Sequence, residues 1–306
     1  MLCSRLLAGV DVGGTKIAVG LADGEGHIIA SRRAPTARDG AAQVVSQIIA
    51  LLREVLTEVS AVKEPAAIGV AVPAVIDQTA GSVLWAPNIV GWQQPVAVAG
   101  PIAGALGIPA TLHYDGHAWV TGEWWCGAAR GMSDVALMAI GTGIGGGLIL
   151  GGRLHRGHVG VAGAVGWWVG DWRQAGSARP PNQGWLECLA SGPAIARAAG
   201  RATAEEALEA ARQGDGRARE AIAQAAEVLG AAVANLVSLV DPEVVVLAGG
   251  VIAGGADLLL PRIREIVAGE SQPQVARSVR IVAAELGEDA AWLGAARLAA
   301  QWLGRH

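Results

Sequence analysis

Residues Ser133–Gly152 read "SDVALMAIGTGIGGGLILGG". An apolar run, a glycine turn and a second apolar run predict strand, turn and strand. Five glycines among the seven residues Gly141–Gly147 exceed what one turn requires. Glycines let backbone N–H groups approach an anion closely, so Gly141, Thr142 and Gly143 are candidate phosphate contacts. The same order stands near the N-terminus, where "LLAGV" runs through "DVGGTK" (Asp11–Lys16) into "IAVGL". A strand, a Gly loop and a strand, followed by β/α elements, thus occur twice. This predicts a two-lobed α/β protein with an internal duplication. The other reading is one α/β domain with unrelated Gly turns.

Working outward, strands are expected at Arg5–Val10, Ile17–Leu21 and His27–Ser31, forming an antiparallel meander. Apolar positions at Val44, Ile48, Leu51, Leu52, Val55, Leu56 and Val59 repeat with helical spacing inside Asp39–Val62. "AAIGVAV" (Ala66–Val72) reads as a buried parallel strand. A helix is expected over Pro95–Leu106 and a strand over Ala110–Tyr114, with Asp115 where the next helix begins. In the second half, helices are expected at Leu186–Ala199, Thr203–Gln213 and Asp215–Val240. Asp241-Pro242 stops the last of these. A strand at Glu243–Gly250, a helix at Ala256–Ala268, a strand at Val279–Ala284 and a helix at Asp289–Leu303 close the chain. The lobes are expected as 1–115 plus about 289–306, and 116–288.

The composition excludes several classes. Of the 306 residues, 52% are hydrophobic and 16% charged, which supports a buried core. The net charge of −4, with signs interspersed, gives no nucleic-acid footprint. No long uncharged apolar run has membrane character. Cys3, Cys126 and Cys188 are odd in number and widely spaced, which fits a reducing cytoplasm rather than a disulfide framework. The N-terminus reads as a first strand, not a signal peptide.

In "DVGGTK", Gly13, Gly14, Thr15 and Lys16 offer backbone and side-chain donors to phosphate. Asp11 could hold Mg²⁺ directly or through water, because Mg²⁺ prefers oxygen ligands. Neither Gly loop is a P-loop: no "GK[ST]" ending occurs. "VVVLAGGVI" ends a strand in Gly249-Gly250, a flat turn suited to the face of an adenine. A plain strand-to-helix turn is the alternative.

The chain resembles the ROK group of sugar kinases, repressors and relatives, on the actin/hexokinase/Hsp70-like ATPase fold with a duplicated βββαβα core. The resemblance rests on "GVDVGGTKIAVGLAD", "IGVAVPAVID", "APNIVGW", "HYDGHAWVTGEW", "GTGIGGGLILGGRLHRG", "GWLECLASG" and "LAGGVI". It implies two lobes that bind ATP, Mg²⁺ and a sugar and pass phosphate to a sugar hydroxyl. It makes Asp115 the catalytic base, a role compatible with capping the helix. It places Tyr114 where the family has Asn. It also makes Asn88 and Glu187 acceptor contacts; a turn Asn and a helix N-terminal Glu are their structural alternatives.

One segment departs from the family. Where the family carries "GE-x-GH", this chain has "GAVGW" (Gly163–Trp167). A sugar-reading Glu becomes Ala164, and a His shared between sugar and zinc becomes Trp167. The family's zinc cysteines fall near Ala178, Pro180 and Trp185, so no structural zinc is expected. The tryptophans at 167–172 wall the acceptor pocket or fill the space of the lost metal. The expected function is a cytoplasmic, dimeric ATP-dependent kinase of secondary metabolism. Its acceptor hydroxyl belongs to an amino sugar or cyclitol rather than plain glucose. A glucokinase- or fructokinase-type enzyme, a non-catalytic sugar sensor and an ATPase without an acceptor are the alternatives.

Overall fold

The structure, a computed structural model, describes residues 6–58, 64–86, 89, 91–180 and 182–304, with the backbone alone at Trp172. The chain divides into two compact units. The first holds Met1–Arg130, Arg156–Ala162 and Asp289–His306; the second holds Gly131–His155 and Gly163–Glu288.

In the first unit, β1 (Leu7–Val12), β2 (Lys16–Ala22) and β3 (Ile28–Pro35) form the expected antiparallel meander. The helix α1 (Ala41–Glu58) crosses to β4 (Ile68–Val72), which pairs parallel with β1. α1 buries Val44, Val45, Ile48, Leu51, Leu52 and Val55, the face its periodicity announced. The rest of its expected span lies at 59–62, outside the described residues. Three short strands follow: β5 (Val75–Asp77), β6 (Ser82–Trp85) and β7 (Val96–Ala97), a small antiparallel sheet without a sequence signal. Because β7 takes the segment after Pro95, helix α2 starts only at Ala99 and runs to Leu106. β8 (Ala110–Tyr114) pairs parallel with β4 and leads directly into α3 (Asp115–Cys126). The sheet order is β3-β2-β1-β4-β8.

The second unit repeats this plan. β9 (Val135–Ile140), β10 (Ile144–Leu150) and β11 (Arg153–His155) form a second meander. The helices α4 (Trp185–Ala190), α5 (Gly192–Ala199), α6 (Ala204–Arg212) and α7 (Gly216–Val240) follow, then β12 (Val244–Ala248). Next come α8 (Gly250–Glu270), α9 (Pro273–Ser278) and β13 (Arg280–Ala283). The order β11-β10-β9-β12-β13 matches the first sheet strand for strand. The duplication expected from the two Gly loops is therefore present in the topology.

Two expected elements change. The single helix over Leu186–Ala199 is broken at Ser191, which is extended at φ −69° and ψ 163°. Pro193 lies in the first turn of α5; it has no N–H to donate into a continuous helix. The helix expected from Ala256 starts at Gly250 and bends at Gly255, against which Leu208 packs. α7 is the one described helix long and apolar enough to cross a membrane, but 56% of its most apolar window is buried. Thr203 and Asp215 cap α6 and α7 through their side chains.

The boundary expected after Asp115 falls instead after Arg130. The cause is α10 (Ala290–Leu303), which packs on α3 as well as on β1 and β4. Glycines make these approaches possible. A Cβ on Gly9 would lie 1.9 Å from the Trp292 carbonyl oxygen, and one on Gly294 would lie 1.8 Å from that of Ala118. The Trp292 indole donates to Asp289 Oδ1 at 2.6 Å, and Arg33 also binds that carboxylate oxygen.

Candidate active site

In the first unit, the turn between β1 and β2 carries the first candidate phosphate loop. Gly13 N–H donates to the Lys16 carbonyl at 2.9 Å, closing the turn. Space is tight at Gly13, where a Cβ would lie 3.0 Å from that oxygen. Gly14, Thr15 and Lys16 are exposed, while Asp11 is half-buried near the end of β1. The sequence did not single out Thr36, which follows β3. Its hydroxyl donates to the Gly13 carbonyl at 2.7 Å, and its amide donates to the Thr15 carbonyl at 3.0 Å. Thr36 is itself buried.

Asp115 opens α3 at the end of β8 and is half-buried; its Oδ1 accepts the Gly116 amide at 2.7 Å. Asp115 is thus the first residue of the helix rather than its cap: the N-cap position is Tyr114, and no side chain caps it. Tyr114, expected beside the acceptor, is buried, with its ring edge-on to His117 at 5.1 Å. Asn88 lies outside the described residues.

A polar chain runs from Thr111 through His113 and Gln78 to Arg156. His113 and His117 are both buried. The Arg156 guanidinium, an obligate donor, reaches Gln78 Oε1 at 3.2 Å. The Gln78 amide nitrogen therefore faces His113 Nδ1, at 3.4 Å, as donor. Nδ1 then accepts, and His113 Nε2–H donates to Thr111 Oγ1 at 2.8 Å. Burial, with the charge of Arg156 and then His117 adding to it, lowers the His113 pKa to about 3. The imidazole is neutral at ordinary pH.

In the second unit, the turn between β9 and β10 carries the second loop. Gly141 N–H donates to the Gly143 carbonyl at 2.9 Å, and the Gly141 carbonyl accepts the Gly192 amide at the start of α5, at 2.8 Å. Thr142 is exposed. Gly249, at φ +87°, sits against the end of β9; a Cβ there would lie 2.3 Å from the Ile140 carbonyl oxygen. Gly250 has open space around it. The second loop, the Gly249-Gly250 turn and the start of α5 are thus gathered at the end of one strand.

Both oxygens of Glu187, expected at the acceptor, are engaged by the main chain. Oε1 accepts the Ile144 amide at 2.8 Å, and Oε2 accepts the Gly184 amide at 2.9 Å. The second bond caps its own helix. The first ties α4 to the second Gly loop. Ala164 precedes a 3₁₀ turn, Val165–Trp167, that lies close to β10 because Gly163 and Gly166 leave no side chain between them. Trp167 is 52% exposed on that turn. Trp168 and Trp185 instead line an apolar cavity of about 560 Å³ against α7, with Val228, Ala232 and Leu239. Trp167 is thus displayed, while Trp168 and Trp185 pack toward the unit's core. Among the described residues no three His, Cys, Asp or Glu side chains gather as a metal-binding group.

The model of the ROK family matches residues 7–302. The glucokinase of Thermotoga maritima is 32% identical over 317 residues, covering 97% of this chain and 98% of that protein. The bifunctional enzyme NanE/NanK of Brucella melitensis is 44% identical over 202 residues, covering 65% of this chain and 36% of that protein. The crystal structure of a ROK family glucokinase from Streptomyces griseus, in complex with glucose and AMPPNP, superposes with a TM-score of 0.81. It is 32% identical, and the match covers 97% of this chain and 99% of that one.

Proposed function

The chain belongs to the ROK family, and from that membership we propose how this ATP-dependent sugar kinase works and what it phosphorylates. One observation supports the assignment of roles most strongly. The two sheets are topologically equivalent, and each has a Gly loop after its first strand. Yet β8 is followed at once by a carboxylate, Asp115, while its counterpart β13 is followed by Ala284. The duplicated parts suit the symmetric task of holding phosphates; the single carboxylate suits the task performed once.

In this reading Asp115 accepts the proton of the attacking acceptor hydroxyl. The first unit offers phosphate donors at Gly13, Gly14, Thr15 and Lys16, and the second offers its own at Gly141, Thr142 and Gly143. Gly249 and Gly250, without side chains, receive the adenine face. Asp11 fits the nucleotide's Mg²⁺, which takes one or two carboxylates together with phosphate and water oxygens. The ion, when bound, neutralises charge on the transferring phosphoryl group.

The acceptor is an amino sugar or a cyclitol rather than unmodified glucose. Ala164 and Trp167 support this: one offers no polar side chain, and the other presents an exposed indole where a hydroxyl-reading pair stands in the family pattern. A site built to hydrogen-bond a hydroxyl discriminates strongly, and losing those partners relaxes or shifts the choice. A coupled ADP-release screen over hexoses, amino sugars and cyclitols tests the proposal. High turnover of glucose with clearly poorer turnover of the other two classes refutes it, and an absence of acceptor-dependent ADP release refutes the kinase reading itself.

A further inference from the structure

The two Gly loops share a feature that neither motif displays. In each, the carbonyl of the first residue after the strand is held by a donor from elsewhere in its unit. In the second unit the donor is the Gly192 amide on the Gly141 carbonyl. In the first it is a side chain, the Thr36 hydroxyl on the Gly13 carbonyl, seconded by the Thr36 amide on Thr15. A trans peptide is planar, with its C=O and N–H on opposite edges. Turning the Gly13 carbonyl toward Thr36 therefore turns the Gly14 N–H away from Thr36. Gly14 is exposed and Thr36 is buried, so that N–H faces the open side of the turn.

We propose that Thr36 is a positioning residue for nucleotide binding: its hydroxyl fixes the Gly13–Gly14 peptide so that the Gly14 amide is preset to donate to a phosphate oxygen. This rests on the reading of the first loop as a phosphate loop. Such presetting matters because a donor aligned before the ligand arrives needs no reorganisation on binding. Without the hydroxyl, the Gly13–Gly14 peptide can rotate and the Gly13 carbonyl loses its buried partner. The Thr36 amide bond to Thr15 belongs to the main chain and survives any substitution except proline, so the side chain alone is tested.

The experiment compares wild type, Thr36→Val and Thr36→Ser for binding of MgAMPPNP by calorimetry, and for KM toward ATP and toward the acceptor. Thr36→Val keeps the shape and removes the donor; Thr36→Ser restores it. The expected result is a rise of about tenfold in the MgAMPPNP Kd and the ATP KM of Thr36→Val, the size of one hydrogen bond. The acceptor KM is unchanged, and Thr36→Ser returns to near wild-type values. If Thr36→Val melts below the assay temperature, Thr36→Ala carries the same comparison. Wild-type binding by folded Thr36→Val or Thr36→Ala overturns the inference, as does failure of Thr36→Ser to rescue. Failure of the wild-type protein to bind MgAMPPNP overturns the phosphate-loop reading beneath it, and is distinguished by requiring no variant.

Discussion

Glu187 Oε1 accepts the main-chain amide of Ile144 at 2.8 Å, so one carboxylate joins the start of α4 to the strand that leaves the second Gly loop. Its other oxygen accepts Gly184 N–H. Glu187→Gln replaces one acceptor oxygen with an NH₂ group facing an N–H. We expect a stability loss of about 1–3 kcal/mol, read by chemical denaturation, from the amide left unsatisfied. We also expect the ATP KM to rise, because the second loop loses its tie. A rise confined to the acceptor KM would instead assign Glu187 to the acceptor alone.

The packing of α10 makes a second prediction. Gly294→Ala places a methyl 1.8 Å from the Ala118 carbonyl oxygen, and Gly9→Ala places one 1.9 Å from that of Trp292. Backbone cannot yield as a flexible side chain can. Each variant should lose about 1–3 kcal/mol or more in urea denaturation, the cost of overpacking a close contact. Gly250→Ala, with open space around it, serves as the control. Equal stability of all three variants would mean that α10 does not approach β1 and α3 so closely.

His113 gives a pH prediction. Its pKa is lowered to about 3, chiefly by burial, below the ordinary value of 6.5. Between these values the unfolded chain binds the proton and the folded chain does not. Stability contributed by the neutral imidazole is therefore complete above pH 6.5 and is lost as pH falls toward 3. The slope approaches one proton, or about 1.4 kcal/mol per pH unit. His113→Gln should remove that slope from denaturation curves taken between pH 4 and 7, whatever its absolute stability.

The proposed acceptor preference is open to a test by reversal. Ala164→Glu combined with Trp167→His restores the family's hydroxyl-reading pair. The double variant should raise kcat/KM for glucose relative to amino sugars and cyclitols by about tenfold or more. An unchanged ratio would place the determinants of the acceptor elsewhere.

Local pattern made much of this architecture legible. Two apolar runs around a Gly turn, found twice, are enough to expect a repeated strand–loop–strand unit, though not β11, and Ala110–Tyr114 with Asp115 after it is where β8 and α3 meet. What escaped depended on partners distant in sequence. Gly9 and Gly294 read as ordinary members of apolar runs until Gly9 lies against α10 and Gly294, on α10, lies against α3. Thr36, beyond the strand expected at His27–Ser31, has no local signal, because its bond to Gly13 joins residues distant in sequence. His113 has no readable partner until Gln78, in the turn after β5, is known to face it. Glu187 was recognised as a site residue from its motif, but its two main-chain partners come from folding.

The central claim is that Asp115 is the base of a phosphoryl transfer. Asp115→Asn keeps the shape of the side chain and an oxygen able to accept the Gly116 amide, but cannot take a proton. The account predicts that kcat in an acceptor-dependent ADP-release assay falls by about 10²–10⁴-fold, with MgAMPPNP affinity retained. An Asp115→Asn protein that binds the nucleotide and still turns over the acceptor at near wild-type kcat would contradict it.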